Sequence, residues 1–311
     1  MKWLKSLIAL GALVCGAAHA FAPQAGSWVI PSEINGQPGR GFVIDVQNGL
    51  FGLQMYAYES SGQPTFYLAV GQLVNNAITT PLHRYVGGRY LGSGPRSGTE
   101  TASPGNVSLR FTSSTDGFIA LPGEPEVAIS RYEFGYTQGD ANNLMGGWLF
   151  AGVGQSSDGS TRITANDHTD LIALTTNVGA TSGGSGLVTS SNGTFGCQQF
   201  PPQVTGQSKW LTQCIAVLNA AATALRYYQF PWAVNEGQGV MGISSNGGVT
   251  TSYQGAVMVR RVSDSSGSDV EFTRELPVDD AAGQAAFAQN VEQLKQAMSQ
   301  VAAQMLKRQS D

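Results

Sequence analysis

The sequence predicts an all-β fold, two antiparallel β-meander or up-and-down barrel-like units, followed by a C-terminal amphipathic α-helix. Three observations carry this. Asn48-Gly49, a dipeptide suited to the type I′ turn of a tight hairpin, sits between two runs of alternating apolar residues. Gly accounts for 40 of the 311 residues and charged residues for only 12%, and Ser, Thr and Asn are abundant, a composition of short strands and turns. From Ala285 to Arg308 the chain turns to Ala, Gln, Leu, Met and Lys, all good helix formers.

Residues 1–20 have the parts of a secretory signal peptide: Lys2 and Lys5, an apolar run from Leu7 to Val14, and Ala18-His19-Ala20 as the cleavage site. Cys15 is preceded by Val14, where lipoprotein processing wants a small residue. Cleavage after Ala20 leaves 291 residues and removes two of the 17 basic residues, so the mature charge is 15 − 21 = −6. A mildly acidic chain without a basic block has no electrostatic footprint for nucleic acid. Past the signal, no run approaches the ~18 to 20 apolar residues of a membrane span. The expected location is the periplasm or the extracellular medium.

The first unit, residues 21–138, opens on Gly26-Ser27-Trp28-Val29-Ile30-Pro31 as a short leading strand. Counting outward from the Asn48-Gly49 turn pairs Gln47 with Leu50, Val46 with Phe51, Ile44 with Leu53 and Phe42 with Met55. One face of this ribbon is then apolar, and a slip of one residue would turn that whole set to solvent. Ser60-Ser61-Gly62 leads into a strand from Thr65 to Val74, and Asn75-Asn76 into one from Ala77 to Val86. After a polar loop from Gly87 to Gly105, strands over 107–112, 118–121 and 127–134 bring the count to seven or eight. Closure into a barrel would remove the exposed edges that an open meander leaves.

A boundary is expected near Thr137 to Asn143. The second unit, residues 139–276, has candidate strands at 148–150, 171–175, 186–189, 194–200, 210–218, 224–230, 240–244 and 249–262. Its opening, Gly146-Gly147-Trp148, repeats that of the first unit and hints at duplication. Cys197 and Cys214, the cysteines left after cleavage, are expected to form a disulfide in an oxidising compartment, worth ~3 kcal/mol in the chain-entropy model. The alternative is a pair of buried thiols. From 277 to 311 the chain is helical, with Asp279 and Asp280 able to cap it. Phe287, Val291, Leu294, Met298, Val301 and Met305 fall on one stripe, which either lies across a barrel or drives self-association through residues 285–308.

Catalytic signals are weak. His168, in Asn166-Asp167-His168-Thr169-Asp170, could supply a metal ligand or a base, but runs of this kind ordinarily just turn the chain. Ser156 and Ser244 lack the closing glycine of a nucleophile elbow. No strand-to-helix glycine loop cradles a phosphate, and no cofactor is implied. Aromatic residues give the better lead. Tyr56, Tyr58, Phe66, Tyr67 and Tyr85 lie in neighbouring strands, where they either pack the barrel and stiffen cross-strand pairs or ring a ligand mouth. Tyr227, Tyr228 and Trp232 could do the same in the second unit.

Trp28-x-x-Pro31, Gly39-Arg40-Gly41-Phe42-x-Ile44-x-Val46-Gln47, Leu50-Phe51, Tyr56-x-Tyr58 and Gly62-x-Pro64-Thr65-Phe66-Tyr67 together resemble a signature of uncharacterised exported proteobacterial proteins. Those proteins carry a Trp-Trp or Trp-Tyr pair where this chain has Val29-Ile30, and Trp in place of Phe66. The resemblance covers about residues 26–75 and implies export and a β-meander, with no activity attached. The functional expectation is a non-catalytic module binding a small molecule, glycan or envelope partner. The alternatives are an assembly protein oligomerising through its helix and, behind it, an envelope hydrolase.

Overall fold

The computed structural model describes residues 22–155, 161–162, 169–181, 183–202, 208–244, 255–263 and 281–310. The expected signal peptide, His168 with Asn166 and Asp167, Ser156, and the expected Asp279-Asp280 cap lie outside the described residues. The architecture is two barrel-like antiparallel sheets and one C-terminal helix.

The first barrel comprises β1 (Gly26–Val29), β2 (Gly41–Gln47), β3 (Leu50–Tyr58), β4 (Pro64–Gln72), β5 (Ala77–Val86), β6 (Thr99–Glu100), β7 (Gly105–Phe111), β8 (Asp116–Ala120) and β9 (Val127–Arg131). Short β6 hangs on β5 while the other eight close a ring, because β1 pairs both β2 and β9, and β4 pairs β5. The hairpin at residues 48 and 49 has the register read from the sequence, with Ile44 opposite Leu53 and Phe42 opposite Met55. Asn48 and Gly49 both take positive φ, 49° and 77°, as that turn requires. Alternate residues point inward, so Trp28, Phe42, Ile44, Phe51, Leu53, Ile119 and Ile129 fill the interior and the barrel is a packed core rather than a tube.

The second barrel comprises β10 (Gly146–Gln155), β11 (Thr161–Arg162), β12 (Thr169–Leu174), β13 (Thr176–Gly179), β14 (Leu187–Thr189), β15 (Phe195–Phe200), β16 (Leu211–Val217), β17 (Leu225–Ala233), β18 (Glu236–Ser244) and β19 (Gly255–Ser263). β12 and β13 act as one bent strand: residues 169–174 pair with β10 and residues 176–179 with β14. Through that strand the ring closes as in the first barrel, with β10 also pairing β19. Cys197 and Cys214 face each other directly on β15 and β16 and are bonded.

The two barrels close by the same device. Gly26 and Gly146 take φ of 116° and 118°. Two residues on, Trp28 and Trp148 donate their indole N–H to the carbonyls of Gln24 and Leu144, each four residues back. Trp28 stands opposite Arg131 on the last strand of its barrel, and Trp148 opposite Arg261. Each arginine reaches over the glycine to the carbonyl just before it, Ala25 or Met145. A Cβ on Gly26 would lie 2.4 Å from Arg131 Nη2, so the guanidinium occupies space that any side chain there would take. The backbone N–H of Arg131 goes to the Thr115 carbonyl and that of Arg261 to the Asn235 carbonyl, in both cases the residue just before the neighbouring strand, β8 or β18, begins.

These tryptophan poles face one another. Ser208 donates to Asp116, Trp210 N–H to Gln138, Gln24 to the Glu236 carbonyl, and Tyr136 O–H to Asn235. Lys209, in the second barrel, lies 3.2 Å from Glu133, with both side chains almost wholly buried. Burial pushes the Lys209 ammonium down and the Glu133 carboxyl up from their ordinary pKa values, while their mutual attraction acts the other way.

The helix α1 (Ala281–Ser310) lies on the outer wall of the second barrel. Phe287, Val291, Leu294, Ala297 and Met298 pack against Leu187, Ile215, Leu225 and Tyr227. The apolar stripe expected from the sequence is therefore engaged within the chain over residues 287–298; the side chains of Val301 and Met305 are outside the described set. Among the described residues, no helix is long and apolar enough to cross a membrane.

Candidate functional site

The pole of the first barrel that faces away from the second opens into a cavity of about 370 Å3. Its floor is Met55, Leu82 and Leu121, buried apolar residues near the ends of β3, β5 and β8. Ala57 and Tyr67 form one wall, since Tyr67 stands opposite Met55 and shares its inward face, and Tyr58, the last residue of β3 and half exposed, edges the rim. Pro104 and Pro122 add a rigid apolar rim.

The polar part of the mouth is a three-residue clamp. Arg40, just ahead of β2, donates its Nε and Nη2 to Glu33 at 2.9 and 2.6 Å, and its Nη1 and Nη2 to Glu124, both at 2.6 Å. Glu33 sits in the short 3-10 turn after β1, which Pro31 starts, and Glu124 in the turn between β8 and β9. These bidentate contacts raise the Arg40 pKa above its already high ordinary value, and Arg40 holds the Glu124 carboxyl below the usual carboxylate range. On the neighbouring wall, Arg84 stands opposite Tyr67 and pairs with Glu59.

The aromatic residues singled out in the sequence divide. Tyr58 and Tyr67 line the cavity. Tyr56 and Phe66 are directly paired across β3 and β4 but point to the outer wall, where they are 55% and 44% exposed. Tyr85 stands opposite Glu100 on β6 and does not line the cavity. Its neighbour His83 has Glu100 within 2.5 Å, a partner supplied by β6 and invisible in local sequence. In the second barrel Tyr228 and Trp232 are fully buried and Tyr227 lies under the helix, so none of them rims an opening.

Sequence reasoning missed the clamp. Glu33, Arg40 and Glu124 come from three connections that only barrel closure brings together, so no spacing announces them. The usable signal was an arginine and a glutamate placed at strand ends of a chain with few charges.

The second barrel has its own charged cluster at the corresponding place. Asp170 stands two residues before Ile172, the partner of Trp148, as Arg40 stands two before Phe42, the partner of Trp28. Arg226 Nη1 donates to both Asp170 oxygens at 3.0 Å, and the Tyr228 hydroxyl donates to Oδ2 at 2.5 Å. Burial, with Asp170 beside it, pushes the Tyr228 phenol above its ordinary range. Among the described residues, no three His, Cys, Asp or Glu side chains converge as a metal site. The chain matches no family model, no curated protein and no solved structure, so the reading of the site rests on its geometry.

Proposed function

We propose that this protein is a non-catalytic binding module, working in the periplasm or after secretion, whose ligand enters the mouth of the first barrel. The observation that carries the reading is the cavity itself. Its size falls in the ~300 to 1,000 Å3 range of small-molecule sites, and it joins an apolar floor and two tyrosines to a fixed polar clamp. The ligand is a small molecule, a glycan or a group presented by an envelope partner. The signal sequence and the resemblance to exported proteobacterial proteins favour that compartment, and the disulfide fits it. Assembly through residues 285–308 is the weaker reading, because the helix stripe already lies against the second barrel.

Native mass spectrometry of protein purified from its own host tests this. A co-purifying mass should accompany the wild type and be lost from Tyr67→Ala. A chain that carries nothing, or an adduct that survives this substitution, would defeat the reading.

A further inference from the structure

Resting on the mouth as a binding site, we infer that its ligand is the end of a neutral oligosaccharide. The clamp decides the charge. Glu33, Arg40 and Glu124 sum to −1, and each of the three Arg40 nitrogens donates to a carboxylate, so among the described lining residues no cation is directed at an anionic group. The neighbouring Arg84 gives Glu59 one contact through Nη2 and is not among the residues that line the cavity. A cationic ligand fares no better, because to reach either carboxylate it must approach a guanidinium held between them. Neutral hydroxyls avoid both conflicts. The four carboxylate oxygens keep lone pairs beyond those used by Arg40 and accept O–H donors in a fixed geometry.

The rings supply the rest. Tyr67 offers an apolar ring beside those acceptors and Tyr58 a second at the rim, the pairing of surfaces that a sugar ring presents in reverse, with C–H groups on its face and hydroxyls at its edge. The site is blind, since Met55, Leu82 and Leu121 close it below, so a chain enters by its terminus. Outside, Tyr56 lies about 7 Å from Tyr58 along β3. It is flanked by its partner Phe66, and both are exposed. An oligosaccharide leaving the cavity past Tyr58 meets this aromatic shelf with its next ring.

An array of neutral, uronate-bearing and amine-bearing oligosaccharides, probed with the mature full-length chain, tests the assignment. Neutral glycans should be retained and the two charged classes should not. Tyr67→Ala should weaken retention about tenfold or more, the scale of losing an aromatic anchor. Tyr58→Ala, at a residue 51% exposed and so harmless to folding, should do the same. Phe66→Ala should leave a monosaccharide bound as before and remove the gain a trisaccharide shows over it. Retention of charged glycans, retention of none, or indifference to Tyr58→Ala and Tyr67→Ala would overturn the assignment. A non-carbohydrate adduct from the native host that disappears in Tyr67→Ala would end the glycan class while leaving the mouth a binding site.

Discussion

The two barrels share a seam and differ at the far end. In both, a glycine at positive φ, a tryptophan two residues later and an arginine from the last strand lock the ring shut. At the opposite pole the first barrel recruits charges from its connections, leaving space among Arg40, Glu33, Glu124 and the tyrosines. The second draws Asp170, Arg226 and Tyr228 inward across its own interior, beside a disulfide in the adjoining wall. Two barrels with one closure can thus carry an open mouth or a cross-braced interior, and the choice is made by which strand ends bear the charges.

The largest test of this likeness is at the seam. Trp28→Ala and Trp148→Ala should each cost ~3 to 5 kcal/mol, the range for emptying a buried aromatic site. Chemical denaturation should give similar values for the two; a seam that tolerates one substitution and not the other would break the equivalence. Next comes the disulfide. Replacing Cys197 and Cys214 together by Ser should cost ~3 kcal/mol, and hydrogen exchange should place the loss in residues 187–233, with the first barrel unchanged.

The charge clusters sharpen the contrast further. Asp170→Asn weakens charged hydrogen bonds within a barrel and should cost ~2 kcal/mol. Arg40→Gln acts on pairs whose carboxylates are more than a third exposed and should cost less than ~1 kcal/mol. Equal losses would mean that the mouth is braced like an interior.

The smallest effect is that of pH. Because Arg40 lowers the folded pKa of Glu124, their pairing contributes stability above the ordinary carboxylate pKa and loses it as pH falls through the folded value. Between about pH 6 and about pH 3 the wild type should lose slightly more melting temperature than Arg40→Gln. A variant as acid-sensitive as the wild type would remove Arg40 from that role.

Much of the first barrel is legible because its turns are chemically explicit. Asn48-Gly49 and Asn75-Asn76 take the positive φ values their side chains tolerate, and register follows. The hairpin between β17 and β18 is hidden, because it turns at Val234 with φ 61°, where a β-branched residue gives no signal. The start of β18 also reads as loop, yet Gly237 and Gly239 are strand glycines, the first leaving room for the Phe230 ring and the second for the Gln229 carbonyl. β13 escapes notice because Thr175 divides a bent strand. At the mouth, Tyr58 and Tyr67 follow from aromatic patterning. Phe66 and Tyr67, being adjacent in a strand, had to point to opposite faces, whereas Tyr58 shares the outward face of Tyr56 and reaches the cavity only because β3 ends there.

The seam also orders folding. Consecutive ring strands meet through short connections, whereas Trp28 must find Arg131, 131 − 28 = 103 residues away, before the first ring exists. The entropy of drawing in so long a loop is repaid once the intervening hairpins have zipped and shortened it. Closure is then the late, slow event in each half, and a chain stalled before it would present two raw strand edges to its neighbours.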